Sequence, residues 1–157
     1  MPNKPKFNQE QYDLLISCSE ERNISKWDDY VKENYPFDIQ LAGAEFKGAY
    51  LKGVFFGRAD LSNANLSGAD LRDTDMSLST MIGVDLCTAD ITGSLLYGSF
   101  RDECVIEDIE CDYIYWTVLN DTLKIVCSNL VSLRIVILIY PRLHTTSLMT
   151  SPPSPPW

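Results

Sequence analysis

The stretch that decides the fold is residues 59–73, which read Ala59-Asp60-Leu61-Ser62-Asn63-Ala64-Asn65-Leu66-Ser67-Gly68-Ala69-Asp70-Leu71-Arg72-Asp73. An alanine, an acid or amide and a leucine recur here every five residues. A period of five fits neither an α-helix, which repeats every ~3.6 residues, nor a strand, which repeats about every two. The chain must therefore turn a corner at every unit.

The same period extends beyond this stretch in both directions. When the central apolar residue of a unit is called position i, twelve consecutive units keep it apolar, namely Leu41, Phe46, Leu51, Phe56, Leu61, Leu66, Leu71, Met76, Met81, Leu86, Ile91 and Leu96. Position i−2 is small or β-branched from Ile39 to Ser94. We expect these two positions to point inward and the other three to face outward. Glycine fills seven of the i+2 positions, where a corner needs a permissive backbone.

Such units stack into a solenoid, in which each coil buries its ends only against its neighbours. Four units, Ala59-Asp60-Leu61, Ala64-Asn65-Leu66, Ala69-Asp70-Leu71 and Ala89-Asp90-Ile91, resemble the motif Ala-(Asp/Asn)-Leu-x-x of the pentapeptide-repeat family. The resemblance covers roughly residues 39–116. It implies an all-β solenoid, a right-handed quadrilateral β-helix with four units per coil and about four coils.

The chain divides into three predicted parts. Residues 1–36 are predicted to form an N-terminal helical cap, because Asn8 and Ser25 are helix-start signals and Trp27 and Tyr30 recur at helical spacing. This lead-in resembles that of small stand-alone bacterial members of the family. Residues 37–116 are the predicted β-helix, with a local bulge at Arg101, where an inward apolar residue is missing.

Residues 117–157 form an atypical tail, apolar at first and then rich in proline and serine. Residues 1–116 carry 21 acids and 10 bases, net −11, whereas the tail carries one acid and three bases, net +2. We expect its proline-rich end to be disordered and the whole tail to be dispensable for the fold. Part of Val118–Tyr140 is expected to lie over the open edge of the final coil. A native extension and an altered reading frame both remain open as origins of this tail.

The sequence indicates a cytoplasmic chain that does not insert into a membrane. The start has no apolar signal segment, and the apolar run Ile125–Tyr140 contains Arg134 and falls short of a spanning helix. The five cysteines are odd in number and form no Cys-x-x-Cys pair, which favours free thiols over a disulfide framework or a zinc site. We expect Cys104 and Cys111 to be inert core thiols and Cys87 to be accessible.

Chemistry that would indicate an enzyme is not visible in the sequence. There is no phosphate loop, nucleophile elbow or metal-ligand cluster, and His144 is the only histidine. We therefore predict no catalytic residues, no cofactor and no metal. The aspartates at position i−1, among them Asp60 and Asp75, are interpreted as solvated or backbone-bonding side chains. Direct nucleic-acid binding is not expected either, because the net charge of −9 repels phosphates.

Stacking with four units per coil places position i−1 of every fourth unit on one side of the solenoid. One such column contains Tyr50 followed by the acidic face, which we define as Asp70, Asp90 and Glu110. Another column contributes three members of the apolar face, which we define as Phe55, Leu95, Tyr97 and Tyr115. Clustered apolar groups on a surface are typical of a contact site. The tail or a homodimer mate could equally cover them.

Two functions follow from these faces. The first is a non-catalytic scaffold that binds another, unidentified protein through a solenoid face. The alternative is an acidic DNA mimic that binds or protects a type II topoisomerase, since the resemblance implies that some family members act on DNA gyrase in this way. Against mimicry, the stack is short, and Tyr50, Lys52 and Arg72 interrupt the acidic column.

Overall fold

The computed structural model describes residues 7–34, 38–99, 103–118 and 121–126. Its elements in chain order are helix α1 (Gln9–Glu21), helix α2 (Ser25–Asn34), strand β1 (Tyr113–Val118) and strand β2 (Asp121–Val126). Between α2 and β1 the chain forms the repeat. There, isolated parallel bridges join residues twenty positions apart, such as Tyr50 to Asp70 and Asp70 to Asp90.

Each coil therefore has four sides of five residues, as the resemblance implies. The bridges fall on four columns, one for each side, and every bridging residue within the repeat occupies position i−1. The register holds on both sides of residues 100–102, because Asp85 pairs with Val105 and Asp90 with Glu110. The predicted bulge at Arg101 lies outside the described residues.

Backbone hydrogen bonds explain why the unit has five residues. In the unit centred on Leu66, the amides of Leu66 and Gly68 donate to carbonyls of the next coil, and the amide of Asn65 donates to the preceding coil, at 2.8, 2.8 and 2.9 Å. The amide of Ala64 closes the corner by donating to the carbonyl of Leu61 at 2.9 Å. Four of the five amides are thus satisfied by backbone acceptors, three of them on neighbouring coils.

The Asp or Asn side chain of the motif accepts a hydrogen bond from the fifth backbone amide of the unit. The Oδ1 atom of Asn65 accepts from the amide of Ser67 at 3.1 Å, and Asp85 and Asp90 do the same for Cys87 and Thr92 at 2.9 Å each. A short Asx side chain can bond the backbone two residues further on, which neither Glu nor Leu does in this way. The i−1 carboxylates are therefore part of the corner.

The interior follows the predicted pattern. Positions i and i−2 are all buried from Ile39 to Leu96. The hydroxyl groups among them find acceptors, as buried polar groups must. Thr74 and Ser94 both donate to the carbonyl of Leu71 at 2.8 Å, and Ser79 donates to the carbonyl of Met76 at 2.7 Å.

Glycine has two separate uses in the repeat. All seven glycines at i+2 have positive φ, between 61° and 80°. The eighth, Gly57, lies at i+1 and is needed for space, because a Cβ there would lie 2.5 Å from Cζ of Phe55.

Both helices contact the first coil. Asn8 accepts a hydrogen bond from the amide of Gln11, as its predicted N-cap role requires. The side chain of Gln11 donates to the carbonyl of Asp38 at 3.0 Å and accepts from the amide of Gln40 at 2.8 Å. The indole of Trp27 is fully buried and donates to the carbonyl of Phe55 at 3.0 Å.

Strand β1 crosses the predicted boundary at Trp116. Strand β1 continues to Val118 and pairs antiparallel with β2, with Tyr115 opposite Lys124. Because β2 has none of the five-residue pattern, sequence analysis assigned it to the tail. Residues 127–157, on which the prediction of disorder falls, lie outside the described residues.

We predict that Leu66→Asp abolishes the cooperative thermal transition, whereas Ser67→Asp leaves it within a few degrees of wild type. Leu66 is fully buried, so an unpaired carboxylate there costs several kcal/mol, and Ser67 lies at the partly exposed corner. Circular dichroism melting curves measure the difference. Equal curves for the two variants would contradict the register.

Two truncations test the role of β2. A chain ending at Val126 should keep the β signal and remain monodisperse, because the pairing of β1 with β2 is intact. A chain ending at Trp116 loses β2 and exposes an unpaired edge, so we expect it to self-associate at lower concentration. Sedimentation velocity and circular dichroism measure both effects. Equal self-association of the two chains would show that β2 does not protect the edge.

Candidate protein-contact faces

The apolar face is assembled on one side of the stack. Bridges from Phe55 to Asp75, from Asp75 to Leu95 and from Leu95 to Tyr115 place these residues in one column. Phe55, Leu95 and Tyr115 are half-buried, and Phe55 packs against the core. Tyr97 lies at the adjoining corner and is 39% exposed.

Leu78 extends this surface and was missed by sequence analysis. It is the most exposed large apolar residue of the described chain, at 51%. Its amide donates to the carbonyl of Tyr97 at 2.7 Å, and its Cδ2 lies where a side chain on Gly98 would clash. The sequence feature that could have identified this residue is a leucine at position i+2, where glycine predominates.

The backbone of Leu78 is also strained. Its φ is 58°, in the left-handed region that costs an L-residue about 1–2 kcal/mol. An exposed leucine gains little from burial in return. Other residues at position i+2 have the same left-handed φ, among them Arg58, Asn63, Asp73 and Thr88. What distinguishes Leu78 is therefore its exposed apolar side chain beside Tyr97.

Asp75 is the one charged residue within the apolar column as far as residue 115. Its Oδ1 atom accepts from the amide of Ser77 at 2.9 Å, so it serves the corner like the other Asx residues. Its carboxylate still places a negative charge between Phe55 and Leu95.

The acidic face is also assembled as one column, since Asp70 bridges to Asp90 and Asp90 to Glu110. Its charge is partly neutralised by Arg72, whose guanidinium donates to both carboxylate oxygens of Asp70, at 2.8 and 2.5 Å. The same guanidinium lies 3.5 Å from Asp90. At the top of the column the guanidinium of Arg22 lies 5.7 Å from the centre of the Tyr50 ring.

The pairing shifts the titration of both partners. The hydrogen bond from Arg72 holds the pKa of the Asp70 carboxyl below its usual range, and the same bond raises the pKa of Arg72. Lys52 forms a further ion pair with Asp73 at 3.5 Å. The acidic column is therefore a mixed-charge surface.

Among the described residues, no group of three or more His, Cys, Asp or Glu side chains could hold a metal ion.

The cysteines follow the prediction in part. Cys18, Cys87 and Cys104 are thiols outside any disulfide, and the thiol of Cys104 donates to the carbonyl of Met81 at 2.8 Å. Hydrogen bonding to Asp85 raises the pKa of the Cys87 thiol, which keeps it protonated. The prediction for Cys111 was wrong, because it is half-buried and disulfide-bonded. Cysteine count and spacing could not reveal this bond, and it removes one support for a reducing compartment.

No helix within the described ranges is both long and apolar enough to cross a membrane.

Comparisons with known proteins agree with the repeat. Residues 39–77 match the family model of pentapeptide repeats, with eight copies. A search of curated proteins returned no match. Among solved structures, a pentapeptide repeat protein from the thylakoid lumen of Arabidopsis thaliana is 42% identical over 41% of this chain and 45% of its own, with a TM-score of 0.40.

A second solved structure is HetL from the cyanobacterium Nostoc sp. strain PCC 7120, a pentapeptide repeat protein involved in heterocyst differentiation regulation. It is 23% identical over 47% of this chain and 37% of its own, with a TM-score of 0.35. The chain therefore spans less than half the length of either protein.

We predict that Arg72→Gln lowers the free energy of unfolding at pH 7 slightly, because the ion pair it removes is screened by solvent. Because the Asp70 pKa is depressed in the folded state, this stabilisation is present above about pH 4 and is lost as the pH falls through the folded pKa. Urea unfolding at pH 7 and pH 2.5 measures both values, and Lys47→Gln controls for removing a cation. A difference that persists unchanged at pH 2.5 would contradict the assignment.

Proposed function

Since the chain carries pentapeptide repeats, we propose that it is a non-catalytic scaffold that binds another protein through the apolar face. The observation that carries this proposal is the stacking of Phe55, Leu95 and Tyr115 on one side, with Tyr97 and Leu78 exposed at the adjoining corner. Asp75 separates Phe55 from Leu95, and the clustering of the other apolar side chains on one side of the stack favours a contact site.

The backbone hydrogen bonds that hold the apolar face in place favour binding of a partner protein. Each row is fixed by hydrogen bonds to the rows above and below, such as Leu95 to Thr74 at 2.9 Å and Tyr115 to Ser94 at 2.8 Å. A rigid surface loses little conformational entropy on binding. Tyrosine is enriched among residues that dominate binding energy, and Tyr97 and Tyr115 provide two such side chains.

The face is small. Its four rows span about 14 Å at the spacing of paired strands. Stable protein interfaces bury about 800 Å² on each partner, which is more than one side of this stack offers. The proposed partner therefore contributes a short apolar segment, and a stable homodimer would need additional surface.

The proposal includes a right-handed sense for the stack and a capping role for the helical segment. The capping role is supported by Gln11, whose amide group bonds Asp38 and Gln40 where a preceding coil would otherwise stand. The buried indole of Trp27 packs at the same end.

DNA mimicry remains the second candidate. The specific observation in its favour is the column of Asp70, Asp90 and Glu110, together with four further exposed acids at the far end of the stack, Glu103, Glu107, Asp108 and Asp112. The ion pairs of Arg72 weaken it, because duplex DNA carries about one charge per 1.7 Å without interruption.

We predict that a partner captured from an extract of the source organism is lost when Leu95→Ala and Tyr97→Ala are combined. The matched control is Val105→Ala, because Val105 is an equally exposed apolar residue, at 44%, on another column. Quantitative mass spectrometry of pull-downs with the three chains measures the difference. A partner retained by the double variant and lost with Val105→Ala would place the site elsewhere.

We predict no submicromolar inhibition of DNA gyrase in a supercoiling assay. Inhibition that weakens with added salt and on replacing Asp70, Asp90 and Glu110 with Asn or Gln would reverse the ranking of the two functions, because charge mimicry depends on those carboxylates. Exchange of Phe55 for Ala controls for loss of the apolar face.

A further inference from the structure

We propose that residues 127–140 of the same chain dock on the apolar face and occupy it until a partner displaces them. The inference rests on the proposed function for the choice of face. It adds a competitive regulation of that face by the chain itself.

The first argument is where the described chain ends. Strand β2 ends at Val126, whose backbone partner is Tyr113, two residues before Tyr115 of the apolar face. From the β2 row to the row of Phe55 is four spacings, about 19 Å. An extended chain rises about 3.3 Å per residue, so six residues cover this distance. Residues 127–140 provide fourteen.

The second argument is chemical complementarity. Residues 127–140 read Cys-Ser-Asn-Leu-Val-Ser-Leu-Arg-Ile-Val-Ile-Leu-Ile-Tyr, a mainly apolar segment with Arg134 as its only charge. Asp75 is the only charge in the apolar column from Phe55 to Tyr115. An apolar segment with one cation thus matches an apolar column whose one charge is an anion, and Arg58, at the corner one row from Leu78, lies outside that column.

The third argument is size. The apolar face is too small to hold a second copy stably, whereas a tethered segment has a local concentration in the millimolar range and needs far less buried area. The segment starts close to this column, because β2 pairs with Tyr115 through Lys124 and ends two residues further on, at Val126 opposite Tyr113.

The test measures the reactivity of Tyr97 in the purified full chain, without any partner. Nitration by tetranitromethane is followed by mass spectrometry, with Tyr50 on the acidic column as the internal reference. We expect Leu133→Asp combined with Ile137→Asp to raise the nitration rate of Tyr97 about threefold or more and to leave Tyr50 unchanged. The matched control, Ser147→Asp with Ser151→Asp, adds the same charges beyond the segment and should change neither rate.

A charge exchange tests the alignment directly. Arg134→Asp and Asp75→Arg should each raise the nitration rate of Tyr97, and the two together should restore protection. Asp85→Arg is the control for Asp75→Arg, because Asp85 accepts the same corner hydrogen bond, from Cys87 at 2.9 Å, on another column. Circular dichroism verifies that each variant is folded.

Three results would overturn the proposal. Nitration of Tyr97 that is unchanged in every tail variant would show that the segment does not cover the face. Protection that increases with protein concentration would assign the cover to a second copy. Charge reversals that fail to compensate each other would exclude the Arg134–Asp75 alignment. None of these nitration measurements involves a partner protein. They can therefore contradict the docking of residues 127–140 while the pull-down supports the proposed function, and they can support the docking while the pull-down finds no partner.

Discussion

The hydrogen bonds between successive coils are the interaction on which the rest of the structure depends. A coil of twenty residues has no backbone partners of its own beyond its corners, so each row is completed by the rows on either side. Leu66 and Gly68 donate in one direction and Asn65 in the other. At the first coil the side chain of Gln11 accepts from the amide of Gln40, and at the other end of the described stack β1 pairs with β2.

The same constraint changes how the surface carboxylates are understood. At Asp85 and Asp90 the Oδ1 atom accepts the corner amide that no coil can satisfy, so these acids are required by the fold before they are available to a partner. Asn65 meets the same requirement without a charge, so the corner requires an Asx oxygen and not a carboxylate. Side chains that do not serve a corner, such as Leu95 and Tyr97, are more informative about binding, because the repeat does not demand them.

The sequence predicts the interior well because inward positions recur with a fixed period. Leu66 and Ala69 are buried as their positions in the unit require. The acidic and apolar columns follow from the same period, because four units of five residues form a coil and residues twenty positions apart lie side by side. The bidentate pairing of Arg72 with Asp70, the exposed strained Leu78 and the disulfide at Cys111 could not be predicted, because side-chain geometry decides them. Strand β2 was missed for a related reason, since it pairs through its backbone without sharing the repeat.

Amide hydrogen exchange followed by NMR tests the coil ladder most directly. The account predicts a five-residue period of protection, in which Asn65, Leu66 and Gly68 exchange slowly because they bond to neighbouring coils. The amide of Ser67, bonded only to the side chain of Asn65 at a corner, should exchange much faster. The same pattern should recur one coil later, with slow Asp85 and Leu86 and fast Cys87. Uniform protection through each unit, or fast exchange at Leu66 and Leu86, would contradict the account.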